Sequence, residues 1–127
     1  MRRTIDADDN ASPLGPYSHA GTDGDVLFTA GQIPVTPDGE VLADEPIGPQ
    51  TDQALANVER ILDGAGLGLD QVLKTTVYMT DIDDFDGMNR VYRSYFEGDP
   101  PARTALEVTR LADGAAIEIE AVATHGP

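Results

Sequence analysis

The closing stretch Ile117-Glu118-Ile119-Glu120-Ala121-Val122-Ala123 has a period of two, with Ile117, Ile119, Ala121 and Ala123 on one parity and Glu118, Glu120 and Val122 on the other. No other feature constrains the fold as much. Successive residues of a strand point to opposite faces, so this segment has one dry face and one carboxylate-bearing face. A slip of one residue would expose both isoleucines and bury both acids, which pins the register. The chain must therefore build a sheet with something apolar packed on one side.

Further strands are expected over residues 26–30, 72–80, 104–109 and 116–123. Val26-Leu27-Phe28-Thr29-Ala30 is apolar on both parities, the pattern of a strand covered on both faces. Gly15-Pro16 reads as a turn into an extended segment, and Thr22-Asp23-Gly24-Asp25 as a hairpin-like break. Residues 36–49 hold turn formers and prolines and read as a loop, and Leu111-Ala112-Asp113-Gly114 reads as the turn between the last two strands. Over residues 51–65 the positions Ala54, Val58, Ile61, Leu62 and Ala65 lie on one helical face, with Gly64 and Gly66 where such a helix stops. A second helix is predicted to begin among Asp81-Ile82-Asp83-Asp84, which supply caps and first-turn carboxylates, and to reach Phe96. Its buried stripe is Phe85, Met88, Tyr92, Tyr95 and Phe96. The order of elements describes one domain over residues 1–127, an α+β fold with both helices on one face of a mixed sheet. Two helices shield one face only, so the apolar positions of the other face call for a partner subunit, which would place Glu118 at or near an interface.

The chain has 127 residues, no cysteine, and 23 acidic groups against eight basic ones, for a formal charge of −15. Thiolate chemistry is thereby excluded, and nucleic acid, whose binding needs basic groups to displace counterions, is disfavoured. A single lysine, Lys74, among so many carboxylates resembles adaptation to a salt-rich cytoplasm, where charge repulsion is screened. No apolar stretch has the length of a membrane span and the first residues lack a secretory segment, so a cytoplasmic location is expected.

Against this acidity Arg103 stands out, set between Pro100-Pro101-Ala102 and Thr104-Ala105-Leu106. A guanidinium donates two parallel hydrogen bonds and suits a small carboxylate ligand. Glu118, shielded at an interface, would have a raised pKa and serve as general acid or base. His19 and His125 are too far apart in sequence to suggest a metal cluster, and neighbouring Ser18 and His19 on a strand point to opposite faces, which argues against a nucleophile–base pair. Gly64-Ala65-Gly66-Leu67-Gly68 follows a helix instead of opening one and is no phosphate cradle. What remains is a substrate that is already electrophilic, for which positioning and one carboxylate suffice.

Seven segments carry a family resemblance: Gly15-Pro16-Tyr17-Ser18, Phe28-Thr29-Ala30-Gly31-Gln32-Ile33-Pro34, Gln53-Ala54-Leu55-Ala56-Asn57, Lys74-Thr75-Thr76-Val77-Tyr78, the helix from Asp84-Phe85 through Asn89 to Tyr92, Pro101-Ala102-Arg103-Thr104, and Ile117-Glu118-Ile119-Glu120-Ala121. In this order and spacing the chain resembles the reactive-intermediate deaminases, the Rid or YjgF family, and most closely the RidA type. The resemblance implies a chorismate-mutase-like fold, a homotrimer with sites between subunits, and hydrolysis of enamine/imine intermediates such as 2-aminoacrylate or 2-iminobutanoate to 2-oxo acids and ammonia, without metal or cofactor. By position it implies that Arg103 binds the substrate carboxylate, the Gly31 amide adds a hydrogen bond, Tyr17 and Asn89 line the pocket, and Glu118 orients or deprotonates water. Ala30 departs from the serine, and Ala105 from the cysteine, found in relatives. A carboxylate-binding or chaperone-like trimer without turnover is the alternative reading, and ribonuclease activity a third.

Overall fold

The computed structural model describes residues 1–126. Its strands are β1 (Arg3–Ile5), β2 (Ala20–Thr22), β3 (Val26–Thr29), β4 (Val72–Met79), β5 (Ala102–Glu107) and β6 (Ile117–Thr124), and its helices are α1 (Ile47–Gly64) and α2 (Phe85–Tyr95). They form one six-stranded sheet in the order β1-β2-β3-β6-β4-β5. Only β4 and β5 are parallel, and every other neighbouring pair is antiparallel. Parallel neighbours need a crossover, and α2 provides it. The mixed α+β architecture is the one expected.

Alternation in β6 decides where the core lies. Ile117, Ile119 and Ala123 are fully buried and Ala121 nearly so, while Glu118, Glu120 and Val122 are half-buried on the opposite face. The dry face meets Leu55, Val58, Ile61 and Leu62 of α1 and Met88, Tyr92 and Phe96, all in one apolar cluster. Each such side chain contributes about 1.5–3 kcal/mol by leaving water. The other face stays open, with Phe28 59 %, Leu73 53 % and Leu106 37 % exposed. Phe28 thus leaves one side of β3 uncovered within a single chain.

Several boundaries differ from the sequence expectation for identifiable reasons. Helix α1 begins at Ile47, four residues before the predicted start, because Pro49 lies in the first turn, where backbone N–H groups have no intrahelical acceptor to lose. It stops as predicted. Gly66 adopts a left-handed φ of +77°, and the bonds Gly66 N to Asp63 O and Leu67 N to Leu62 O close the end. At α2, a 3-10 turn over Ile82–Asp84 precedes the helix, and the Asp81 carboxylate accepts from Asp83 N at 2.9 Å. Strand β5 starts at Ala102, ahead of the predicted 104, because its parallel ladder with β4 runs from Lys74↔Ala102 to Met79↔Glu107. The segment Leu111-Ala112-Asp113-Gly114 does connect β5 to β6, with Asp113 (φ 56°) and Gly114 (φ 74°) reversing the chain. Yet no hairpin forms, since β4 lies between those strands. Strand β1 falls in a segment with no apolar alternation, and only its pairing with β2 makes it a strand.

Candidate functional site

Arg103 and Glu118 lie on opposite faces of the sheet. Cross-strand partners share a face, and Arg103 is in register with Thr75, which is fully buried and pairs with Ala121 on the helix side. Glu118 pairs with Tyr78, three positions further along β4, on the open side. Within one chain they form two separate clusters, each a candidate half-site.

The first half-site is built on β5 and α2. Arg103 Nη1 donates to Asn89 Oδ1 at 2.7 Å, and the guanidinium lies 4.7 Å from the ring centroid of Tyr92 and 5.4 Å from that of Phe85. Flanking aromatic faces and one amide acceptor immobilise the guanidinium, each cation–π contact contributing about 0.5–2 kcal/mol. Tyr92 is itself fixed, with its hydroxyl 2.7 Å from Thr75 Oγ1 and its ring stacked 4.7 Å from Phe96. Burial raises the Tyr92 pKa, so the phenol stays neutral beside the cation. This arrangement opens on a groove of about 580 Å³ whose wall includes Asn89, Tyr92, Pro100, Pro101 and Arg103.

The second half-site is on the open face, where the strand after β3 crosses β6. Gln32 and Ile119 exchange backbone hydrogen bonds, Gln32 N to Ile119 O at 2.8 Å and Ile119 N to Gln32 O at 3.0 Å, which brings Gly31 against Glu118. A Cβ on Gly31 would stand 2.8 Å from Glu118 Cδ and 3.0 Å from Cγ, so only glycine lets the carboxylate rest on this backbone. Burial first, and the neighbouring charge of Glu120 second, raise the Glu118 carboxyl pKa above its ordinary value. Tyr17, 48 % exposed, lines a small pocket of about 20 Å³ together with Gly31, Gln32 and Ile33.

Two supporting residues lie in segments that carry the family resemblance but were given no role of their own. Asn57, buried on α1, donates to Ile33 O (3.2 Å) and Val35 O (2.9 Å) and so holds the loop that follows Gly31. Tyr78 donates its hydroxyl hydrogen to the Glu120 carboxylate. His19 is buried, not solvated: Nδ1 accepts from Ala7 N at 2.9 Å and Nε2 faces Ala11 O at 2.9 Å, so the ring ties down the N-terminal segment. Among the described residues no group of His, Asp and Glu is arranged to hold a metal ion, and no helix is long and apolar enough to cross a membrane.

With this geometry in view, the chain matches the family described as Endoribonuclease L-PSP over residues 8–125. It belongs to the YjgF/RutC family. A RutC family protein of Pyrococcus horikoshii is 47 % identical over 97 % of this chain and 98 % of its own. The human protein named 2-iminobutanoate/2-iminopropanoate deaminase is 39 % identical over all of this chain and 93 % of its own. Among solved structures, E. coli TdcF with bound serine superposes with a TM-score of 0.92 at 34 % identity, covering 98 % of this chain and 99 % of that one. Family membership thus accords with the resemblance carried by the seven sequence segments.

Proposed function

We propose that this YjgF/RutC protein hydrolyses small enamine/imine carboxylates to 2-oxo acids and ammonia, at sites completed between copies of the chain in a homotrimer. The observation that carries this reading is the split site: an immobilised guanidinium on one face and a pKa-raised carboxylate seated on Gly31 on the other. A second copy covering the open face of the first, with its exposed Phe28, Leu73 and Leu106, lets its Arg103 edge approach Glu118. The human relative's name describes such a deaminase, and serine, an α-amino acid, occupies the TdcF structure.

In this scheme the substrate carboxylate takes the N–H groups of Arg103 not engaged by Asn89, and the Gly31 amide donates to the same ligand. Tyr17 and Asn89 form the walls. Water adds to the protonated C=N carbon and Glu118 takes the proton released. Glu118 returns that proton to the nitrogen of the carbinolamine and accepts the hydroxyl proton as the C–N bond breaks, expelling ammonia and leaving C=O. The proton left on Glu118 departs to the ammonia or to water. A C=N carbon already accepts water, so positioning and one proton-transferring group meet the demand and neither metal nor cofactor is needed. The absent serine hydroxyl at Ala30 alters rate or substrate range without removing this path. A charge of −15 sets the chain against a polyanionic substrate, which disfavours the ribonuclease reading.

The test couples a threonine or serine dehydratase to the protein and follows 2-oxo acid release, in dilute buffer and in molar potassium chloride. Wild type accelerates release, Arg103→Ala lowers kcat/KM about 100-fold or more, and Glu118→Gln lowers turnover about 10²–10⁴-fold while carboxylate binding persists. No acceleration by wild type at either salt level overturns the enzyme reading and leaves the binding-protein alternative.

A further inference from the structure

Glu120 has no part in the reaction just described, yet it shares a face with Glu118 and is held by a tyrosine. We propose that Glu120, anchored by the Tyr78 hydroxyl, is a positioning residue that acts on the hydrolysis through Glu118. The inference rests on the proposed function and deepens it.

Glu118 and Glu120 are two residues apart on β6, so their side chains leave the sheet on the same side. Tyr78 is the cross-strand partner of Glu118, and its hydroxyl reaches diagonally to donate to Glu120. One donor is thus committed to one carboxylate of the pair. That bond, with burial and the two nearby carboxylates adding to it, pushes the Tyr78 pKa up to about 12, so the phenol remains a donor throughout the neutral range. The Tyr78 hydroxyl thus holds the Glu120 carboxylate on the side of the sheet that carries Glu118. The Glu120 charge then disfavours a second anion at Glu118. Added to burial, which is the larger cause, this like charge raises the Glu118 pKa and leaves that group to exchange a proton with substrate and water.

Within the chain no other group facing Glu118 offsets this, and the Arg103 that a second copy brings under the proposed function is common to wild type and variants, so it leaves the difference between them unchanged. On β4 the ionisable neighbours of that face are Tyr78 and, toward the far end opposite Val122, Lys74. From β5 come Ala102, Thr104 and Leu106, from β3 comes Phe28, and the Gly31–Gln32 segment offers backbone and an amide. The bland alternative, that Glu120 is only a polar residue on a strand, predicts that Glu118 titrates alike with or without it.

The experiment compares wild type, Glu120→Gln, Tyr78→Phe and a remote neutralisation, Asp63→Asn, by the acid limb of kcat/KM and by the carbon-13 carboxyl titration of Glu118 in the unliganded protein. Glu118 must be ionised to accept a proton from water, so activity falls as pH drops through its midpoint. Removing the like charge lowers that midpoint. Glu120→Gln moves the limb and the carboxyl titration down by about half a unit to one unit, a roughly 3–10-fold gain on the limb. Tyr78→Phe moves both in the same direction by less, because Glu120 loses the bond that anchors it near Glu118. Asp63→Asn moves neither, and the Glu120 effect persists in molar potassium chloride, where the Debye length of about 3 Å removes distant charges but not an adjacent one. An unmoved titration in Glu120→Gln and Tyr78→Phe, with wild-type turnover present, overturns this inference alone. If wild type shows no turnover, the functional reading fails separately, and the carboxyl titration still decides the electrostatic link.

Discussion

Gly31 shows how a single missing methyl group can shape a site. The backbone there lies so close to Glu118 that a Cβ would overlap the carboxylate. The carboxylate is the free end of a flexible side chain, so in Gly31→Ala it swings aside at little cost. We expect the variant to lose less than about 1 kcal/mol of stability by denaturant unfolding while turnover falls about 10²-fold, mimicking Glu118→Gln. Equal activity with a cooperative fold would show that the seat of Glu118 on Gly31 does not matter. Arg103 illustrates the opposite strategy, a long side chain made rigid by what surrounds it. That it is a candidate anchor could be argued from residue type and charge context. Its contacts with Tyr92 and Asn89 could not, because they depend on β5 pairing in parallel with β4 and on α2 crossing above them.

At the scale of elements, helix α1 does more than cover the sheet. Its stripe of Val58, Ile61 and Leu62 could be read from spacing, but Asn57 beside it is polar and buried, and period alone gives no reason for that. The structure supplies one in the two carbonyls, Ile33 O and Val35 O, that accept from its amide. Asn57→Ala strands these acceptors and is expected to cost about 2–3 kcal/mol in urea unfolding and to loosen the loop after Gly31. A cost below about 0.5 kcal/mol would mean water replaces the amide. Strand alternation in β6 was legible because one face is dry. The order of strands was not, since adjacency in sequence suggested a β5–β6 hairpin and only the parallel crossover through α2 inserts β4 between them. Nor was β1, whose short polar segment owes its conformation to β2.

For the molecule as a whole, the pleat that separates Arg103 from Glu118 has a genetic consequence. In the proposed trimer, Arg103→Ala and Glu118→Gln each spoil every site when present alone, but they spoil different halves. Unfold the two dead proteins together in equal amounts, let them reassemble, and about a quarter of the clefts inherit an intact guanidinium from one parent and an intact acid from the other. Recovery of roughly that fraction of wild-type turnover, absent when the preformed proteins are merely combined, would mark each cleft as the joint property of two chains. Silence in the shuffled sample would mean that each polypeptide works alone and would overturn the shared cleft.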